Sequence, residues 1–189
     1  LNAHRDMYLD KAGNIIPKLS INGPMAAGIP GQAAAFIHLA KQYGKLPLSA
    51  TLEDAIKIAN QGFATDHHYA KLASYRKDAL NQYPDAADIF LDNGRVPAEG
   101  YIIKQPDLAN TLQAIADHGF DGFYKGKVAQ QLVNQIQKHG GIWQLKDLEK
   151  YQIIEREPIV SQYQKQTIIS APPPSSGGIA IAQMLNMLE

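Results

Sequence analysis

Apolar residues recur three and four positions apart through most of this sequence. Nearly every such run stops at a glycine or a proline, which constrains the chain to a series of short amphipathic helices. Ala34, Phe36, Ile37 and Ala40 precede Gly44; Leu52, Ala55, Ile56 and Ala59 precede Gly62; Leu108, Leu112 and Ile115 follow Pro106 and precede Gly119. Val128, Leu132, Val133 and Ile136 run up to Gly140-Gly141, and a short helix is expected over 145–151. Between them a more polar helix is predicted from about 65 to 83, with Tyr69, Leu72 and Tyr75 or Arg76 on one side and Pro84 as its stop. Thr51-Leu52-Glu53-Asp54 has the pattern of a capping box and is expected to open the second major helix.

The period changes near the C-terminal end. Pro158-Ile159-Val160-Ser161 and Gln166-Thr167-Ile168-Ile169-Ser170 are rich in β-branched residues and flank Tyr163-Gln164-Lys165, the pattern of a hairpin. Pro172-Pro173-Pro174 breaks the second strand, and Ser175-Ser176-Gly177-Gly178 opens a last helical run over 179–188. Two turns are expected elsewhere, at Asp10 to Asn14 and at Asp92-Asn93-Gly94. No repeat of solenoid period and no low-complexity tract occurs, so the fold class is mainly α with a hairpin near the end, expected as a single helical domain over 1–189.

Charge narrows the partners. Eighteen basic residues offset eighteen acidic ones, which leaves no net field to draw the chain onto nucleic acid or an anionic membrane. No stretch approaches the roughly twenty apolar residues of a membrane span. Cysteine is absent, which excludes a thiol nucleophile, a disulfide framework and cysteine-based zinc sites. A first residue that is Leu and a last one inside an apolar helical run suggest a piece of something longer.

Candidate chemistry is sparse. Asp66-His67-His68 has metal-binding residue types, but neighbours on a helix point about 100 degrees apart, so a solvated helix face is the expectation. His4, His38, His118 and His139 are isolated, and Gly140-Gly141 lacks the Lys-Ser/Thr of a phosphate loop. No catalytic residue, metal or cofactor is assigned. Ser175, Ser176, Gly177 and Gly178 form the one weak candidate for substrate binding, since hydroxyls and free amides at a helix start can hold an anion. Their simpler role is to cap that helix.

The run Ala171-Pro172-Pro173-Pro174-Ser175-Ser176-Gly177-Gly178-Ile179, after Glu157-Pro158-Ile159 and the hairpin, resembles the large subunit of gamma-glutamyltransferases, also called gamma-glutamyltranspeptidases or glutathione hydrolases. Gly28-Ile29-Pro30-Gly31, Tyr43-Gly44, Ala59-Asn60-Gln61-Gly62-Phe63, Gly122-Phe123-Tyr124-Lys125-Gly126, Gly140-Gly141 and Asp147-Leu148-Glu149-Lys150-Tyr151 agree in order and spacing. The resemblance covers nearly the whole chain and places it in the middle of the large subunit. It implies an N-terminal nucleophile hydrolase, cut from one precursor, whose hairpin joins an αββα sandwich and whose partner is the small subunit of that precursor. The family's nucleophile, an N-terminal Thr, lies in the small subunit, and its Arg for the glutamyl α-carboxylate lies upstream of the position matched by Leu1, so Arg5 does not inherit that role. A periplasmic or secreted location and a glutathione-like substrate are implied with the rest. One departure is visible: Tyr163-Gln164-Lys165 stands where many members have Tyr-Arg-Gly. A beta-lactam side-chain acylase of the same superfamily and a non-catalytic helical interaction module are the alternatives.

Overall fold

The computed structural model describes residues 2–188, and the chain divides into two compact units, Leu1–Gln152 and Ile153–Glu189. The first unit is helical. Its elements are α1 (Gln32–Tyr43), α2 (Leu48–Gln61), α3 (His67–Leu80), α4 (Pro84–Phe90), α5 (Pro106–His118), α6 (Phe120–Tyr124), α7 (Gly126–Lys138) and α8 (Leu145–Glu149), with two short strands, β1 (Phe63–Ala64) and β2 (Ile102–Ile103).

The centre of this unit is the packing of α2 on α5, with α6 bridging α5 to α7 and also touching α1. Leu52 and Ala59 from α2, Ile115 from α5 and Val133 from α7 are buried at the helical spacing read from the sequence, and Ala109 and Ala129, which that spacing did not single out, are buried with them, whereas Leu108 is exposed. Removing each larger apolar side chain from water is worth about 1.5–3 kcal/mol. Gly62, at φ 90°, ends α2 and passes straight into β1, which pairs antiparallel with β2 as Phe63 to Ile103 and Ala64 to Ile102. A side chain at Gly62 would collide with Ile102, the Ile103 carbonyl and Lys104, so this turn both stops the helix and lets two backbones meet.

Two helix boundaries differ from expectation. α2 begins at Leu48, not at Thr51, and the Thr51 hydroxyl donates to the Leu48 carbonyl at 2.8 Å from within the first turn. Pro47 precedes the helix and sets its start, which makes the Thr51 pattern an interior one. Pro84 does not merely end α3; it occupies the first turn of α4, a helix for which the residues around Pro84 give no separate signal. Proline is suited to that position, because the first-turn amides have no acceptor within the helix. Beyond α4, Asp92 and Arg95 exchange amide-to-carbonyl bonds of 2.8 and 2.9 Å around Asn93 and Gly94, at φ 49° and 75°, as the Asp-Asn-Gly signal predicts. The expected turn at Asp10 to Asn14 is likewise present, inside the bridge between Leu9 and Ile15.

The second unit contains β3 (Ile159–Tyr163), β4 (Gln166–Ser170) and α9 (Gly177–Leu188). The strands pair antiparallel with Val160 opposite Ile169 and Ser161 opposite Ile168. α9 packs on both strands. Ile159, Ser161, Tyr163, Ile168 and Ser170 are half-buried, whereas Val160 and Ile169 on the other face are exposed. Gln164 and Lys165 make the two-residue turn at φ 43° and 67°, so a left-handed turn is kept although neither residue is glycine.

Candidate functional site

The candidate segment lies between β4 and α9. After Ser170 the chain passes through Pro172 to Pro174, with a cis bond between Pro173 and Pro174, and the Ser175 amide donates to the Pro172 carbonyl at 3.1 Å. The Ser176 carbonyl accepts the Ala180 amide at 3.1 Å, the first bond of the α9 ladder, which puts Ser176 at the position before the helix. Ser175, Ser176 and Gly177 are exposed, and Gly178 is buried. A β-carbon at Gly178 would lie 2.7 Å from the Ala171 carbonyl oxygen and 2.7 Å from the Ser170 hydroxyl, so only glycine lets the first turn of α9 settle onto the end of β4. The four candidate residues are thus brought together at one helix start. Their chemistry is limited to donating hydrogen bonds to an anion, since a serine hydroxyl without a paired base remains a poor nucleophile.

The shared runs in the first unit do different work. Gly28-Ile29-Pro30-Gly31 and Gly122-Phe123-Tyr124-Lys125-Gly126, nearly a hundred residues apart, close on one another at Tyr124, which is wholly buried. Its hydroxyl donates to the Pro30 carbonyl at 2.6 Å and accepts the Ala34 amide at 3.1 Å, so it holds the loop before α1 and the first turn of α1 together. The ring stacks on Phe120 at 4.4 Å and on Tyr151 at 5.4 Å, and meets Phe123 edge-on at 4.9 Å. Burial pushes the Tyr124 phenol above its ordinary value, which keeps it protonated as a donor. Gly31 has no room for a side chain because the Tyr151 hydroxyl lies against it.

Further contacts in this unit also serve packing. The Trp143 indole donates to the Ala27 carbonyl at 3.0 Å, and the Tyr8 hydroxyl donates to the Met25 carbonyl at 3.2 Å, fixing the same loop from two further sides. Ala59 accepts the Gln105 amide at 2.8 Å, and Leu148 is fully buried under α7. None of these contacts presents an activated nucleophile. Spacing alone does not single out Tyr124 among the nine tyrosines; only its place in a shared run points to it.

Asp66, His67 and His68 open α3. The Asp66 carboxylate accepts the Tyr69 amide at 2.7 Å, and this bond, ahead of the charges of His68 and His67, holds its carboxyl below the usual range. Both histidines are exposed. Among the described residues no three His, Cys, Asp or Glu side chains are grouped to hold a metal ion. No helix among them is long and apolar enough to cross a membrane.

Comparison with known proteins accounts for the pattern. A family model described as Gamma-glutamyltranspeptidase matches residues 1–189. The glutathione hydrolase proenzyme of Escherichia coli is 39% identical over 188 residues, which is 99% of this chain and 32% of that protein. The crystal structure of Helicobacter pylori gamma-glutamyltranspeptidase superposes with a TM-score of 0.96 at 38% identity, covering 100% of this chain and 54% of that one. An acylase proenzyme from a Pseudomonas strain is 34% identical over 170 residues, 90% of this chain and 30% of that protein. The chain thus spans about a third of the length of the curated relatives it matches. On the match to all 189 residues and the shared architecture, the chain belongs to the gamma-glutamyltranspeptidase family.

Proposed function

We propose that this chain is the middle of the large subunit of a gamma-glutamyltransferase or glutathione hydrolase, and that it acts there as scaffold. The observation that carries the reading is the combination of a full-length family match with shared runs that meet in packing contacts around Tyr124. In the intact protein an N-terminal Thr outside this chain attacks the gamma-glutamyl carbonyl of a glutathione-like amide. Its own α-amine serves as base, and the acyl group passes to water or to an amino acid. The naming of relatives as proenzymes supports a precursor cut into two subunits, with the small subunit as this chain's partner. A periplasmic or secreted location belongs to the same proposal.

The second unit fits a hairpin that joins a larger αββα sandwich. Val160 and Ile169 form an exposed apolar pair on one strand face, and Ile179, Ile181, Met184 and Met187 are exposed on α9. Such surface is costly for a free domain and suited to burial under neighbouring strands and helices. Ser175, Ser176, Gly177 and Gly178 then stand at a helix start beside that sheet, and a weak contact to the substrate's carboxylate is their share in binding.

A second reading, an acylase acting on beta-lactam side chains, is favoured by the similarity to an acylase proenzyme at 34% identity. The two are separated by assaying the self-cleaved full-length protein on a gamma-glutamyl anilide and on a beta-lactam side-chain amide. Release of the anilide chromophore supports the first reading, and cleavage of the beta-lactam amide alone supports the second.

A further inference from the structure

Two asparagines in this chain, Asn22 and Asn93, are followed by glycine. Without a β-carbon on the next residue, the main-chain amide can approach the asparagine side chain with little hindrance. Among the described residues neither the Gly23 nor the Gly94 amide has a hydrogen-bond acceptor, so a nucleophile is available at both places and the surroundings of each asparagine decide between them.

Those surroundings differ. At Asn22 the Arg76 guanidinium donates to Oδ1 at 3.1 Å, from α3 to a loop 54 residues earlier. Positive charge therefore sits on the oxygen that gains negative charge when Cγ is attacked, and close enough to favour loss of the neighbouring amide proton. At Asn93 the arrangement is reversed. Its Nδ2 donates to the Asp92 carboxylate at 2.8 Å, and the turn is closed by the paired Asp92 and Arg95 bonds. Asn81 Nδ2 also grips the Gly94 carbonyl at 3.0 Å. A carboxylate beside the amide opposes the build-up of negative charge, and a turn clamped on both sides resists the rotation that ring closure needs.

We propose that Asn22 is a site of spontaneous deamidation in the folded protein, promoted by Arg76, and that Asn93 is protected. A solvent base removes the Gly23 amide proton, and the nitrogen bonds to Asn22 Cγ. The Cγ–Nδ2 bond breaks, and Nδ2 leaves as ammonia with a proton from water, giving a five-membered succinimide. Water then adds at one imide carbonyl: opening at Cγ gives aspartate, and opening at the main-chain carbonyl gives isoaspartate. The product places a carboxylate beside Arg76, so a hydrogen bond from the guanidinium to a neutral amide becomes an ion pair or, as isoaspartate, the loop gains a methylene in its main chain.

The test is a time course of the full-length protein in mildly alkaline buffer at physiological temperature. Peptide mapping and fragmentation that separates aspartate from isoaspartate are applied at positions 22 and 93. Conversion at Asn22 is expected to exceed that at Asn93 several-fold, and R76Q is expected to slow Asn22 several-fold with Asn93 unchanged. Should R76Q loosen the fold, both sites will speed up together, and the ratio in the unaltered protein decides. Equal or faster conversion at Asn93 overturns the proposal. So does a native ratio that persists in denaturant, because the fold would then play no part.

Discussion

The Tyr124 hydroxyl donates to the Pro30 carbonyl at 2.6 Å while accepting the Ala34 amide at 3.1 Å, so one side chain from α6 fastens the loop that leads into α1. Y124F keeps the ring and its stacking but strands a half-buried carbonyl and a buried amide. Its expected cost is about 1–3 kcal/mol, read as a lower midpoint in chemical denaturation. The sign of the pH effect follows from burial. The folded-state value is raised, so the stability it represents is complete below the ordinary value of 10.0 and is lost as pH climbs through the folded value. The difference in stability between wild type and Y124F should therefore narrow in strongly alkaline solution.

Gly122 and Gly177 make opposite predictions. A β-carbon at Gly122 would run into the Ala114 carbonyl, the backbone of α5 itself, so G122A must push α5 and α6 apart. It is expected to destabilise by about 1–3 kcal/mol or more. Gly177 has nothing within contact distance of such a carbon and lies in α9, so G177A should be neutral or stabilise by roughly 0.4–1 kcal/mol through the unfolded chain. Thermal melts of the two variants in the full-length protein check both.

Asp66 caps α3 through the Tyr69 amide, and D66A should lower protection of that amide against hydrogen exchange while leaving α5 and α7 unaffected. Its carboxyl is depressed chiefly by this bond, so the stabilisation is present above the ordinary value of 3.8 and fades as pH falls through the lower folded value. Wild-type protection at Tyr69 should decline in that acid range, and D66A should show no such step.

Lys165 holds φ 67° in the hairpin turn, where a β-carbon costs about 1–2 kcal/mol in the left-handed region. K165G should recover part of that cost, about 1 kcal/mol, and raise the melting temperature of the intact protein. The turn geometry survives without glycine because the five residue pairs of β3 and β4 hold both strand ends in register.

Much of this fold was legible because helical period and glycine stops are local signals. α1, α5 and α7 run where Ile37, Ile115 and Val133 place them, and Gly44, Gly119 and the Gly140 pair follow as their ends. Pro84 misled because proline both stops one helix and starts another, and the residues around it do not say which. Thr51 misled because a capping pattern can sit one turn inside a helix that Pro47 has already begun. The Gln144 and Asp147 capping box of α8 lacked the Ser or Thr by which such boxes are recognised. Tyr124 was legible only as part of a shared run, because its partners Pro30 and Ala34 are distant in sequence and no spacing rule connects them. The candidate segment was the reverse case: Ser175 to Gly178 are contiguous, so their gathering at one helix start was readable, while the groups that would act on a substrate lie outside this chain in the proposed reading.

Chromophore release from a gamma-glutamyl anilide, compared between the self-cleaved full-length protein and this chain alone, tests the central claim most directly. Circular dichroism first establishes that the isolated chain is folded and largely helical. The account predicts turnover by the full-length protein and none by the isolated chain at any concentration, because Ser175 and Ser176 have hydroxyls without an activating base. Turnover by the isolated chain that survives stringent purification and disappears in S175A or S176A would contradict it.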